Sequence, residues 1–455
     1  MDAGATGLDD PRREVARGRA LRSFLGVFAS TLLCVLAIGA VLPILPRYVT
    51  GPLGGGDVAV GVVIGAFTVT ALISRPIGGR LADLHGRKAV HSTGIAIVSL
   101  AGLLLSAPLG IVGLLFARLV VGFGEGMVFA AGLAWVVDLS TGQRRGRAIG
   151  IFGLAIWGGL GLGSMVGQIT YDVGGFRAVW ALAALAPLVG LLIARAIPPG
   201  APRPQPIAEA FVEAEAGLRH GSGSAPGGRA ADARDTHATR AGDAPATVAP
   251  AEPAGGWRME RWLPAATIKP GVALALSNVG YAALAAFVVL LLDERGIGHG
   301  ASVFSVYAIA LIVTRLFVGG LPDRIGPRRA STLAGLAMAA GMAVIAAAHL
   351  LTVALAGAIV FGMGASLLFP SLALIVAREA DERRRGVAMG AFSAFFDLGF
   401  GLGAPIAGVV ASFAGYPGAF WFGALTCLAG ALVGWLGTRG LAAAGAPALA
   451  GSAAR

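Results

Sequence analysis

The sequence predicts an all-α membrane protein of twelve transmembrane helices arranged as two pseudo-symmetric six-helix bundles. Three observations carry this expectation: a charge content too low for a water-facing surface, twelve apolar runs of spanning length, and an internal repeat between the chain halves. A soluble chain carries about a quarter of its residues as charges. Here 13% are charged and 56% are hydrophobic, so lipid must cover most of the apolar mass.

The net charge of +11 does not point to nucleic acid, because the basic residues gather at the ends of apolar runs, where membrane topology places them. Lys88 and Lys269 are the only lysines, so arginine carries nearly all of the positive charge. Cys34 and Cys427 each sit within an apolar run, where a thiol behaves as a small hydrophobe, and no disulfide or metal framework is implied. The first apolar run follows Arg12, Arg13, Arg17, Arg19 and Arg22 and is longer than a signal-peptide core, so it is read as a retained span.

A helix needs about 20 apolar residues to cross the hydrocarbon core. Runs of that kind cover 24–48, 58–79, 89–107, 109–137, 147–171 and 176–197, then 268–292, 301–321, 330–349, 351–377, 387–413 and 418–438. Residues 198–266 between the two sets are rich in Pro, Gly, Ala and charge, and bury too little apolar surface to offset the entropy of ordering. The expected organisation is a tail over 1–23, a bundle over 24–197, a disordered linker over 198–266, a second bundle over 267–438 and a tail over 439–455. Loops rich in arginine stay in the cytoplasm, and here they alternate with loops holding only Arg47, Arg177 and Arg295. Linker and termini are therefore expected inside, in a bacterial inner membrane.

The repeat has a fixed offset of 240 residues. Arg75 matches Arg315, Gly79 matches Gly319, Asp83 matches Asp323 and Gly86 matches Gly326. Gly122, Gly124, Gly150, Gly159 and Gly163 match Gly362, Gly364, Gly390, Gly399 and Gly403. Charged pairs in one register are not a by-product of glycine abundance, and duplicated halves suit a rocking transporter.

Between the second and third runs, Gly79 to Lys88 reads GRLADLHGRK, and Gly319 to Arg329 reads GGLPDRIGPRR at the equivalent place. Within these loops a small residue permits close helix approach, Gly86 permits a tight turn, and an acid can face a helix N-terminus. Asp83 is placed to face the start of the eleventh span near Val387, and Asp323 the start of the fifth near Arg147. Asp138 can pair with Arg87 or Arg147. Gly79, Asp83, Gly86, Arg87, Lys88, Asp138, Arg147, Asp323 and Arg328 thus form an expected cytoplasmic gate. Arg75 and Arg315, about one turn before these loops, are expected to snorkel to the interface.

The chain resembles the major facilitator superfamily in this loop pair, and the resemblance extends over all but the tails and linker. A second matching segment, Arg118 to Gly126, reads RLVVGFGEG in the fourth span. Arg118 and Glu125 lie about two turns apart on one helix face, and charges at such depth must turn inward and find partners. The resemblance implies proton coupling at this motif. In the fifth span Gly150, Gly159, Gly163 and Gly167 are similar in spacing to the family's antiporter motif, with Ser164 in place of proline and Gln168 in place of glycine. Mere packing through small residues also accounts for such glycines.

Asp397 is the other deep acid, in a segment from Phe396 to Pro405 that reads FDLGFGLGAP. Its repeat partner is Trp157, so symmetry does not require a charge there. Gln168, Asn278, Tyr281 and Tyr307 are candidates for a polar cavity, each equally compatible with core hydrogen bonding. Deep acids outnumber deep bases on this count, which favours a cationic or neutral cargo.

No nucleotide-binding loop, metal cluster or nucleophile constellation occurs at usable spacing, so neither an enzyme nor an ATP-driven pump is expected, and no cofactor is called for. The resemblance and the deep acids together predict a monomeric secondary transporter in the lipid bilayer that exports a small organic molecule, such as a drug or sugar-like metabolite, in exchange for protons. Proton symport or facilitated uptake of a sugar or carboxylate shares the same residues. A non-transporting membrane sensor that uses the linker as its output is the reading from a different class.

Overall fold

The computed structural model describes residues 11–140, 145–198, 263–381 and 384–437, and of 11–19, 145–147 and 386 only the backbone. The expected C-terminal tail and nearly all of the expected linker thus fall outside the described residues, whereas the expected N-terminal tail is described from Pro11 onward, where the backbone is already helical as the start of α1. Every element is helical: α1 Pro11–Val41, α2 Leu45–Thr50, α3 Asp57–His85, α4 Arg87–Leu105, α5 Gly110–Asp138 and α6 Arg145–Ala196. Then follow α7 Ala265–Glu294, α8 Gly300–Val318, α9 Leu321–Ile325, α10 Pro327–Ala346, α11 Leu351–Glu379 and α12 Arg385–Gly437.

Ten of the described helices are long and apolar enough to cross a bilayer. Two of these are much longer than one crossing requires, and each is broken by a glycine in a conformation that L-residues rarely adopt. Gly175 in α6 has φ 64° and Gly415 in α12 has φ 68°, exactly one repeat offset apart. Each limb on either side of these breaks exceeds the about 20 residues that a crossing needs.

Large apolar side chains such as Leu103, Phe116, Leu192, Phe317, Phe413 and Leu425 project outward, the arrangement that lipid contact favours. Inside, α1 packs on α6, and α5 on α3 and α4, while α7 packs on α12 and α11 on α8 and α10. Two seams join the chain halves: α3 against α12, and α6 against α8. The seams are repeats of one another. At the first, a Cβ on Gly65 would lie 2.6 Å from the Gly401 carbonyl oxygen, and one on Gly61 would collide with the Ala404 carbonyl, so only glycine permits this approach. At the second, the equivalent Ser305 hydroxyl donates to the Gly161 carbonyl at 2.9 Å, and the Ser164 hydroxyl donates to the Ala301 carbonyl at 3.1 Å.

Candidate functional site

At the centre of the first seam, Arg75 of α3 reaches across to Asp397 of α12. Its Nη1 lies 2.5 Å from Asp397 Oδ2, and its Nη2 lies 3.6 Å from Glu125 Oε2 on α5. The guanidinium also stacks over Phe129, one turn beyond Glu125, at 4.9 Å from the ring centroid. Asp397 is 4% exposed. Arg75 Nε and Glu125 Oε2 are buried without hydrogen-bond partners, so one cation is shared between two acids that it does not fully satisfy. Buried charges left in this condition are costly, and a proton or a cargo group can relieve the imbalance.

This geometry corrects one expectation. Arg75 does not snorkel outward, because α3 lies between α5 and α12 and the arginine stands on the face that meets both acids. Arg118 and Glu125, on one face of α5, find different partners. Side chains on one helix tilt the same way, so residues two turns apart stay about 10 Å apart along the axis. Arg118 is 1% exposed and donates to the Val63 and Ile64 carbonyls at 3.1 and 3.2 Å, with Phe67 under its guanidinium at 4.8 Å. Among the described residues no carboxylate lies within salt-bridge distance of it.

Deeper along the seams lies an aromatic cluster. Tyr281 of α7 sits 5.0 Å from Phe400, 5.5 Å from Tyr307 and 6.1 Å from Trp157, measured between ring centroids. Trp157 of α6 is 6.4 Å from Tyr307 of α8, so the cluster spans both halves. Asn278, expected to line a polar cavity, instead donates to the Leu274 carbonyl of its own helix at 3.0 Å and is buried. Its amide is used in the helix core, the alternative that the sequence left open.

At one end of the seams, Arg47 of α2 forms a two-pronged bond with Asp293 of α7, Nε to Oδ2 at 2.6 Å and Nη2 to Oδ1 at 2.8 Å. Its Nη1 donates to Gln168 Oε1 at 3.0 Å, and Gln168 in turn donates to Asp172 at 2.8 Å. Gln168 therefore belongs to this cross-half lock rather than to the centre. Arg47 and Asp293 carried no motif in the sequence beyond lying in arginine-poor loops.

At the opposite end the ion pairs and hydrogen bonds of the signature loops, among the described residues, stay within their own halves. Arg87 pairs with Asp83 and holds Asp138 at 3.2 Å, all within α3 to α5. Asp323 is exposed, and among the described residues neither Asp83 nor Asp323 forms a salt bridge to the facing half. Gly86, read from the sequence as a tight turn, adopts φ of 93°, and its repeat mate Gly326 adopts 86°, whereas a Cβ on Gly79 would meet nothing. Lys88 Nζ bonds the Arg195 carbonyl at 2.9 Å and also the Ile197 carbonyl, at the end of α6. Its repeat mate Arg328 bonds the Trp435 carbonyl at 3.1 Å, at the end of α12. Both cations thus sit where the helix dipole is negative. The Arg147 side chain lies outside the described residues.

Comparisons with known proteins agree with this architecture. A family model described as Major Facilitator Superfamily matches residues 27–300 and 270–451. An uncharacterized MFS-type transporter of Salmonella typhimurium is 29% identical over 415 residues, covering 90% of this chain and 94% of the relative. An uncharacterized MFS-type transporter of Burkholderia mallei is 30% identical over 419 residues, covering 89% of each chain. The crystal structure of the nucleoside transporter NupG superimposes with a TM-score of 0.67 at 14% identity, over 92% of this chain and 99% of that one. Coverage of both chain halves, the paired signature loops and the shared fold lead to one conclusion: this chain belongs to the major facilitator superfamily and is a multi-pass membrane transporter.

Proposed function

We propose that the protein is a proton-coupled antiporter that exports a small organic molecule across a bacterial inner membrane by alternating access. The observation that carries this reading is the sharing of Arg75 between Glu125 and Asp397 across the seam. A proton on Asp397 cancels the charge that holds Arg75 to α12, and Glu125 becomes its sole partner. Loss of that proton restores the cross-half pair. A coordinated switch of this type ties the seam between the halves to proton occupancy. The membrane potential supplies about 2.3 kcal/mol per charge per 100 mV for such exchange.

In this reading Gly175 and Gly415 divide α6 and α12 into two crossings each, making twelve spans in bundles of six, with 198–266 as a cytoplasmic linker. Both termini are cytoplasmic and the monomer is the working unit. The Arg47–Asp293 end then faces the periplasm and is locked, while Asp83, Arg87, Asp138 and Asp323 wait at the cytoplasmic end to close it in the opposite state. Arg118 acts through the α3 backbone, which its guanidinium grips next to Phe67.

The test is a growth screen against a compound panel in an exporter-deficient host, comparing wild type with Glu125→Gln. A resistance profile present in the wild type and absent from the variant is the expected result. Equal profiles remove the glutamate from the mechanism.

A further inference from the structure

The repeat places a second arginine in the same surroundings as Arg75 but without its acids. Applying the 240-residue offset to the triad of Arg75, Glu125 and Asp397 gives Arg315, Ala365 and Trp157. Arg315 of α8 occupies the second seam as Arg75 occupies the first. A Cβ added to Gly153 of α6 would have Arg315 Nη1 as its neighbour, at 3.9 Å. Arg315 Nη2 makes a long contact of 3.4 Å to the Ser366 carbonyl on α11, and among the described residues no carboxylate lies within salt-bridge distance. The Ser366 hydroxyl is itself buried without a hydrogen-bond partner.

A Cβ on Gly150, about one turn before Gly153 on α6, would meet nothing within 4 Å. Trp157 stands one turn from Gly153 on α6, about 6 Å along the axis, and opens the aromatic cluster with Tyr281 and Tyr307. A half-buried guanidinium offers planar, paired donors that match a carboxylate or phosphate, and the rings beside it suit an apolar body. Both deep acids face Arg75 in the first seam and none of the described carboxylates faces Arg315 in the second, so the charge without a counter-ion there is positive.

We infer that Arg315 receives the anionic group of the transported molecule, and that this molecule is an organic anion with an aromatic or apolar body resting against Trp157. The inference rests on the transport reading above and specifies its cargo. Arg315 is then a binding residue, and the pseudo-symmetry has a division of labour: one arginine answers to protons, the other to substrate.

The test uses the purified full chain with three matched probes: 3-phenylpropionate, 3-phenylpropionamide and 3-phenylpropylamine. Binding is read by quenching of tryptophan fluorescence, and proton movement by a trapped pH dye in proteoliposomes. The carboxylate is expected to bind at least about tenfold more tightly than the amide or the amine, the scale of one charge-assisted pair. Arg315→Gln should remove that preference and Arg315→Lys should retain part of it. Ala365→Glu, which supplies the missing acid while leaving Arg315 in place, should remove it as well and guards against a folding defect in the glutamine variant. Preference for the amine, no binding of the carboxylate, or an unchanged preference in both Arg315→Gln and Ala365→Glu overturns the inference while leaving proton-coupled transport intact. Carboxylate binding that needs Arg315 but moves no protons upholds the inference and sinks the antiport reading instead.

Discussion

Arg75 and Asp397 lie in opposite halves of the chain, yet their guanidinium and carboxylate groups meet at 2.5 Å in the buried seam between α3 and α12. The pair is tight enough to hold the seam, and Glu125 at 3.6 Å offers the arginine an alternative within its own half. A contact that can be exchanged for another of the same kind is what a two-state transporter needs at its centre.

Removal of the shared cation leaves two half-satisfied acids facing each other. Arg75→Ala is expected to destabilise the protein by about 3–5 kcal/mol, the usual cost of breaking a buried ion pair from one side. Asp397→Asn should cost less, because Glu125 remains to balance the arginine. Thermal unfolding in detergent checks the order, with Arg75→Ala melting well below Asp397→Asn.

The lock at the other end should report on which state is populated. Asp293→Asn removes the charge that Arg47 grips with two bonds. Both side chains are partly solvated, so the expected loss is about 1 kcal/mol, or a roughly fivefold shift toward opening of that end. The native thiols of Cys34 and Cys427 are buried, which allows a single reporter, Ser164→Cys, to be labelled by a membrane-impermeant maleimide. Labelling should rise by that factor in the Asp293→Asn background.

Lys88 and Arg328 were read as part of a gate, but each binds backbone carbonyls at the end of the last helical limb of its own half. Such cations are worth about 0.3–1 kcal/mol each. Lys88→Ala and Arg328→Ala are therefore expected to lower the melting temperature slightly, with Arg328→Ala losing more because its guanidinium also stacks on Trp435 at 3.9 Å. Transport assays at saturating substrate should show the coupling of protons to cargo unchanged in both.

Much of the fold was legible because lipid imposes a simple rule on composition and length, and because the repeat duplicates the signature loops and many of the glycines at a fixed offset. Gly86 was read as a tight turn, and its positive φ agrees, as does that of its repeat mate Gly326. The individual contacts were less legible. Arg118 and Glu125 share a helix and a face, which one sequence can display, but their separation along the axis keeps them apart. Arg75 and Asp397 are 322 positions apart and meet only through the way α3 packs on α12, which no local pattern encodes. Gln168 and Asn278 show the same limit from another side. An isolated amide in an apolar helix signals a hydrogen bond, and only the packing decides whether the partner is Arg47 in a lock or the carbonyl of Leu274 one turn back.

The central claim is that Asp397 exchanges Arg75 for a proton during each cycle. The most direct measurement compares two activities of the wild type and Asp397→Asn in proteoliposomes, using a compound identified by the resistance screen. Accumulation driven by a pH gradient should disappear in the variant, whereas one-for-one exchange of labelled for unlabelled compound, which needs no net proton movement, should continue. If Asp397→Asn still concentrates the compound against its gradient as the wild type does, with the same dependence on the imposed pH difference, the switch at Arg75 is not the coupling step.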